Sequence, residues 1–206
     1  MTKRLITRRG ALRTVGAGAG AVAVLPWLSD EGAFAFALLQ QTKAGPSLKV
    51  LSASQYATLE TLVEAIIPAD ERSPGAKEAR VADYVDLLLS EGDAALRQEW
   101  LEGLAALDAE AGARFGAPFL RLAAAQVDVL LGDVSRERPA DAAAPATPLE
   151  AFFVTAKQAT IHGYYTSEIG IHKELRYKGN SVLAEFVGCD TVDGKDCPHC
   201  GQKAEA

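Results

Sequence analysis

Apolar residues in this chain recur at steps of three and four, and that spacing limits its fold more than any other feature. Tyr56, Leu59, Leu62, Val63, Ile66 and Ile67 form one such series. Ser52 or Ser54 can cap the helix they predict, and Pro68 ends it. Val81, Tyr84, Val85 and Leu88 predict a second helix, from about Lys77 to Leu89. Leu96, Trp100, Leu104, Leu107 and Ala111 share one stripe of a third, from Asp93 to about Phe115, stopped by Gly116-Ala117-Pro118. A fourth covers about Phe119 to Leu131. The fifth has the strongest start: Thr147 caps, Pro148 takes the first helical position and Glu150 completes a capping box. It continues through Phe152, Phe153, Ala156, Ala159 and Ile161 to near Tyr165. No stretch alternates over five residues, so no sheet is expected. The spacing predicts an all-α chain, a compact bundle of about five helices with an irregular C-terminal tail. Residues 132–146, rich in Ala and Pro, read as a linker inside that domain.

The N-terminus follows different rules. Lys3, Arg4, Arg8, Arg9 and Arg13 come with no acid, and a weakly apolar run follows from Thr14 to Leu25. That run is short of the roughly 20 residues a bilayer span needs. A basic start, a short apolar stretch and small-x-small sites make an export signal. The string Thr7-Arg8-Arg9-Gly10-Ala11-Leu12-Arg13 resembles the twin-arginine consensus, with Ala11 where Phe is common, so Arg8 and Arg9 are the recognition residues. Candidate cleavage sites are Ala33-Phe34-Ala35 and Ala35-Phe36-Ala37. The implied organisation is an export signal over 1–37, a lead-in over 38–51, a helical domain over 52–188 and a cysteine-containing tail over 189–206. The glycines from Gly16 to Gly20 are no dinucleotide loop, because arginines precede them where a buried strand must stand.

Charge and chemistry exclude several function classes. A net charge of −6 over 206 residues argues against nucleic acid as a partner. Asp70, Glu71, Asp83 and Asp86 read as solvated caps and helix faces rather than a catalytic carboxylate pair. His162 and His172 lie ten apart with no serine or cysteine nucleophile near, so no triad is supported and His162 reads as a helix-face residue. No catalytic or cofactor-binding residue is assigned. All three cysteines fall near the end, as Cys189, Cys197 and Cys200, with Cys-Pro-His-Cys closing the group. Covalent haem needs His after the second Cys, where Gly201 stands. A disulfide in an oxidising compartment, with one odd thiol left for a partner chain, is the favoured reading. Alternatives are a thiol-disulfide centre or a metal site on Cys189, Cys197, His199 and Cys200.

Two blocks carry a family resemblance. The first runs Ile66-Ile67-Pro68-Ala69-Asp70-Glu71-Arg72-Ser73-Pro74-Gly75-Ala76 and continues in Val81-Ala82-Asp83-Tyr84-Val85-Asp86. The second runs Gly163-Tyr164-Tyr165-Thr166-Ser167-Glu168-Ile169-Gly170, through Lys173-Glu174-Leu175-Arg176-Tyr177, to Gly179-Asn180 and Gly188-Cys189. Together with the twin-arginine start they resemble the gluconate 2-dehydrogenase subunit 3 family. The resemblance implies an accessory subunit with no redox cofactor of its own. Its partner would be a large FAD-containing dehydrogenase of the glucose-methanol-choline class acting on a sugar or alcohol, with a cytochrome c as electron acceptor. It also implies periplasmic location, reached when the twin-arginine export machinery carries both subunits across the membrane. After Tyr165 the chain departs from the Pro-x-Tyr-Gly-Gly-Asn run of the gluconate enzyme's own small subunit, so the class of complex is implied and its sugar is not. Tyr164, Tyr165, Arg176 and Tyr177 are residue types enriched at interface centres. With Glu168 and Asn180 of the same block they form the candidate partner interface. The competing possibility is that the tyrosines pack on their own domain.

Overall fold

The structure, a computed structural model, describes residues 28–42, 45–46, 48–135, 147–177 and 179. Arg8, Arg9, Asn180, Cys189, Cys197, His199 and Cys200 lie outside them, as does most of the 132–146 linker. Among the described residues six α-helices follow one another: α1 Asp30–Gln41, α2 Ala53–Ile66, α3 Val81–Glu91, α4 Ala94–Phe115, α5 Ala124–Val134 and α6 Pro148–Tyr165. A 3-10 turn, Phe119–Arg121, precedes α5, and a π-type turn, Gly170–Glu174, follows α6. No strand occurs among the described residues. The fold is all-α, as the periodicity predicts.

Local chemistry explains most of the boundaries. Ser52 and Gln55 form a reciprocal capping box at α2, and Thr147 and Glu150 form another at α6 with Pro148 inside it. The Asp93 carboxylate accepts the Leu96 N–H at 2.8 Å to start α4. Gly116 ends α4 in the left-handed region at φ 73°, where a side chain would be strained.

Two helices begin later than expected. The helix predicted from about Lys77 starts at Val81, because residues 77–80 wind into a turn that leaves Arg80 left-handed at φ 58°. The Ala79 N–H donates to Gly75 C=O and the Val81 N–H to Ala76 C=O, so this turn is tied back onto the preceding loop. The helix predicted over Phe119–Leu131 splits in two. Phe119 is fully buried and its N–H donates to the Asp108 carboxylate, so the chain must turn before α5 can start at Ala124.

A further helix stands where a removable signal and a lead-in are expected. Residues 30–41 form α1, capped by Ser29, with Phe36 only 3% exposed and edge-on to Tyr84 at 5.3 Å. The N-cap and the buried aromatic both contribute to the order of this short segment.

Helix α3 is the centre. Every residue from Val81 to Leu89 is buried, because α1, α2 and α6 pack around it. A helix covered on all sides has no solvated face, so Asp83 (6% exposed) and Asp86 (2%) are not solvated as expected. Each instead has dedicated partners. Asp83 receives the Arg80 Nε–H at 2.8 Å. Asp86 accepts three backbone N–H groups, from Lys49 at 2.6 Å, Val50 at 3.0 Å and Leu51 at 2.8 Å. On the other side of the core α4 crosses α6, where Trp100 meets Phe152 edge-on at 5.5 Å. A Cβ on Gly103 would come within 2.1 Å of the Phe152 ring, so only glycine permits that crossing.

Removing the Asp86 carboxylate would leave three N–H groups without an acceptor, each costing about 1–3 kcal/mol where buried. Only the Leu51 N–H is fully buried, so Asp86→Ala is expected to lower the unfolding free energy by about 1–3 kcal/mol. Urea unfolding followed by far-ultraviolet circular dichroism checks it.

Candidate functional site

The two blocks that carry the resemblance are far apart in sequence and meet in space, where Ser73 and Tyr164, 91 positions apart, share a hydrogen bond. The first forms the loop between α2 and α3. Asp70 organises it: its Oδ1 accepts the N–H groups of Arg72 and Ser73, both at 2.8 Å, and its own N–H donates to Ser73 C=O at 3.0 Å. Those two amide bonds hold its carboxyl below the usual carboxylate range. Glu64, on α2, clamps both ends of the loop by accepting the N–H of Ala69 at 3.1 Å and of Lys77 at 2.8 Å. Gly75 passes so close that a Cβ would lie 2.3 Å from Glu64 Oε1 and 2.6 Å from the Ala69 nitrogen. Ala76 behind it is fully buried. The Pro-Ala-Asp-x-x-x-Pro-Gly-Ala pattern is thus a steric and hydrogen-bonding requirement of this corner.

The second block reaches the same corner through Tyr164. Its hydroxyl donates to Pro74 C=O at 2.8 Å and lies 2.8 Å from Ser73 Oγ. Burial raises the phenol's pKa, partly offset by the bond to Ser73. Past the end of α6 the chain reverses tightly. Ser167 Oγ donates to Tyr164 C=O at 2.6 Å and accepts the Gly170 N–H at 2.9 Å. A Cβ on Gly170 would lie 2.0 Å from that same carbonyl oxygen. Thr166-Ser167-Glu168-Ile169-Gly170 is therefore a defined turn.

Residues 53–181 match the sequence profile of the family described as Gluconate 2-dehydrogenase subunit 3. The chain belongs to the gluconate 2-dehydrogenase subunit 3 family. The match opens on the first residue of α2, covers the first block and the second as far as Gly179-Asn180, and leaves α1 outside it. No curated protein and no solved structure matches the chain. Membership in a family of dehydrogenase subunits implies a catalytic partner.

The structure separates the residues of the candidate interface. Tyr164 is a core residue, 2% exposed, with its hydroxyl engaged by the loop, so it is not a docking side chain. Tyr165 is 39% exposed and stacks edge-on against Tyr164 at 5.3 Å. Glu168 is exposed, while its N–H donates to Gln40 Oε1 of α1 at 2.7 Å. Arg176 is exposed at φ 51°. Tyr177 is exposed and opens a second unit of the chain, running from Tyr177 to Ala206. Two residues absent from the expected set join Tyr165 on the outer face of α6. Val154 and Ile161 are exposed, and with Tyr165 they fall at steps of seven and four, which is one side of a helix. The signal was present in the sequence, since an apolar stripe on the polar side of an amphipathic helix is visible by period alone.

Among the described residues no three His, Cys, Asp or Glu side chains gather as a metal site would require. No described helix is long and apolar enough to cross a membrane. His162 is half-buried rather than simply on a helix face. Its Nδ1 shares a hydrogen bond of 2.6 Å with the Tyr84 hydroxyl, whose pKa burial pushes up to about 12.

Two outcomes follow from this geometry. Tyr164→Phe should cost about 1–2 kcal/mol through the lost bonds to Pro74 and Ser73. Amide exchange should quicken in the Asp70–Ala76 loop while α4 stays protected. For His162, burial depresses the pKa below its ordinary 6.5, so the unfolded chain takes up the proton first. The stability contributed by the neutral ring is complete above 6.5 and is lost as pH falls through that value toward the folded-state pKa. Urea midpoints should drop over that window, and His162→Gln should flatten the drop.

Proposed function

We propose that this chain is an exported accessory subunit of a flavin-dependent dehydrogenase of the glucose-methanol-choline class, acting on a sugar or alcohol. Family membership over residues 53–181 carries the reading. In it, FAD and the reaction belong to the large subunit, a cytochrome c takes the electrons, and this chain brings neither cofactor nor catalytic residue. Its part is assembly and passage: Arg8 and Arg9 address the pair to the twin-arginine machinery, and the folded domain holds the large subunit during transport. The outer face of α6 supports a docking role. Val154, Ile161 and Tyr165 expose apolar area along one side of a well-capped helix, behind which the Tyr164 clamp fixes the backbone. Rigid aromatic anchors on a supported helix are what interface centres are made of.

Co-expression of this chain with a large flavin-dependent dehydrogenase of the glucose-methanol-choline class from the same genome tests the reading. With Arg8→Lys and Arg9→Lys, both proteins should remain in the cytoplasm. Export of the large subunit despite those changes would defeat the carrier role. Tyr165→Ala with Arg176→Gly, the latter chosen because glycine tolerates the left-handed backbone there, should weaken co-purification by roughly 2 kcal/mol or more. The helical circular dichroism of the domain should be unchanged. Unaltered co-purification would place the interface elsewhere.

A further inference from the structure

Helix α1 lies outside the family match, and both candidate cleavage sites fall within it. Ala33-Phe34-Ala35 and Ala35-Phe36-Ala37 occupy its middle turns. The helix is held at both ends and in the middle by three other parts of the fold. At its start the N–H and O–H of Ser29 both donate to the Glu91 carboxylate of α3, each at 2.8 Å. Gly32 packs so closely there that a Cβ would overlap that carboxylate. In the middle, Phe36 is buried against Tyr84. At its end the Arg80 guanidinium donates to the carbonyls of Leu39 and Thr42, and Gln40 accepts the Glu168 N–H.

A signal peptidase must hold the residues around the scissile bond in extended form. Cutting after Ala35 or Ala37 therefore requires α1 to unwind and Phe36 to leave the core. The twin-arginine route moves proteins that have already folded, so α1 would be seated before the chain meets the peptidase. We propose that α1 is a retained part of the folded domain and that its seating closes both Ala-Phe-Ala sites to signal peptidase, so that any cut lies before Ser29. Closure rests on the contacts of α1 alone. Its consequence for the exported chain rests on the export reading above.

Two arms separate these. In the first, purified full-length chain is incubated with signal peptidase in detergent micelles, and the products are weighed as intact masses. A synthetic peptide of residues 14–45, with nothing to pack against, serves as the unfolded reference. The folded chain should be cut after Ala35 or Ala37 at least about 100-fold more slowly than the peptide, because cleavage follows the fraction of open molecules. Glu91→Ala, and separately Arg80→Asn, which suits the left-handed backbone, should each restore cutting about tenfold or more without touching the recognition residues. Equal rates for folded chain and peptide would overturn the proposal. So would a peptide left uncut at both sites, since the fold would then be protecting nothing. In the second arm the N-terminus of the exported protein is determined. A start before Ser29 supports retention, and a start at Phe36 or Leu38 overturns it. A chain found only in the cytoplasm defeats the export reading, and the first arm then decides closure by itself.

Discussion

The whole structure depends on burying α3 from every side. A helix so enclosed must satisfy any polar group it carries, and α3 carries two carboxylates, Asp83 and Asp86. Leaving either unpaired would be costly, since a buried charge is tolerated only with compensating hydrogen bonds. Each acid therefore dictates the path of another segment. Asp86 gathers the backbone N–H groups of Lys49, Val50 and Leu51 and so fixes where the chain enters α2. Asp83 holds Arg80, whose guanidinium in turn takes the last carbonyls of α1. Tyr56 of α2 stands beside the same carboxylate, and its phenol is raised by burial first and by Asp83 next. The polar residues of the central helix thus place its neighbours.

The same economy governs the corner that marks the family. Tyr164 closes the loop of the first block with its hydroxyl, and the turn after α6 closes on Tyr164's own carbonyl through Ser167. Gly75 and Gly170 are demanded by close backbone approach at two faces of this corner. The corner where the two blocks meet is a scaffold, and the exposed apolar surface beside it lies one residue further along, at Tyr165, and back along α6 at Ile161 and Val154. A partner meeting that surface would meet a helix whose C-terminal end is pinned, which lowers the entropy lost on docking.

Helix α1 changes how the N-terminus is understood. Composition assigns residues up to 37 to a signal because basic, apolar and small residues follow in the right order. The fold assigns residues 30–41 to the domain because Phe36 fills a place beside Tyr84 and Ser29 finds Glu91. The Ser29-Asp30-Glu31 start, a cap followed by acids in the first turn, is a helix signal that sits inside the stretch composition groups with the export signal.

By itself the sequence determined the all-α class, a cap at Ser52 or Ser54, the cap at Thr147, the stop at Gly116 and the two blocks that carry the resemblance, because period, capping and turn chemistry act within a few residues. It determined the family as well, through the match of residues 53–181. Only the tertiary structure decided that Arg80 would be left-handed, that Asp83 and Asp86 would be buried, and that Tyr164 would serve the core while its neighbour Tyr165 faces outward. These outcomes turn on which elements cover a given face, and cover comes from residues tens of positions away. A carboxylate on a helix has the same local signature whether water or three backbone amides lie opposite it, and only the fold supplies the amides.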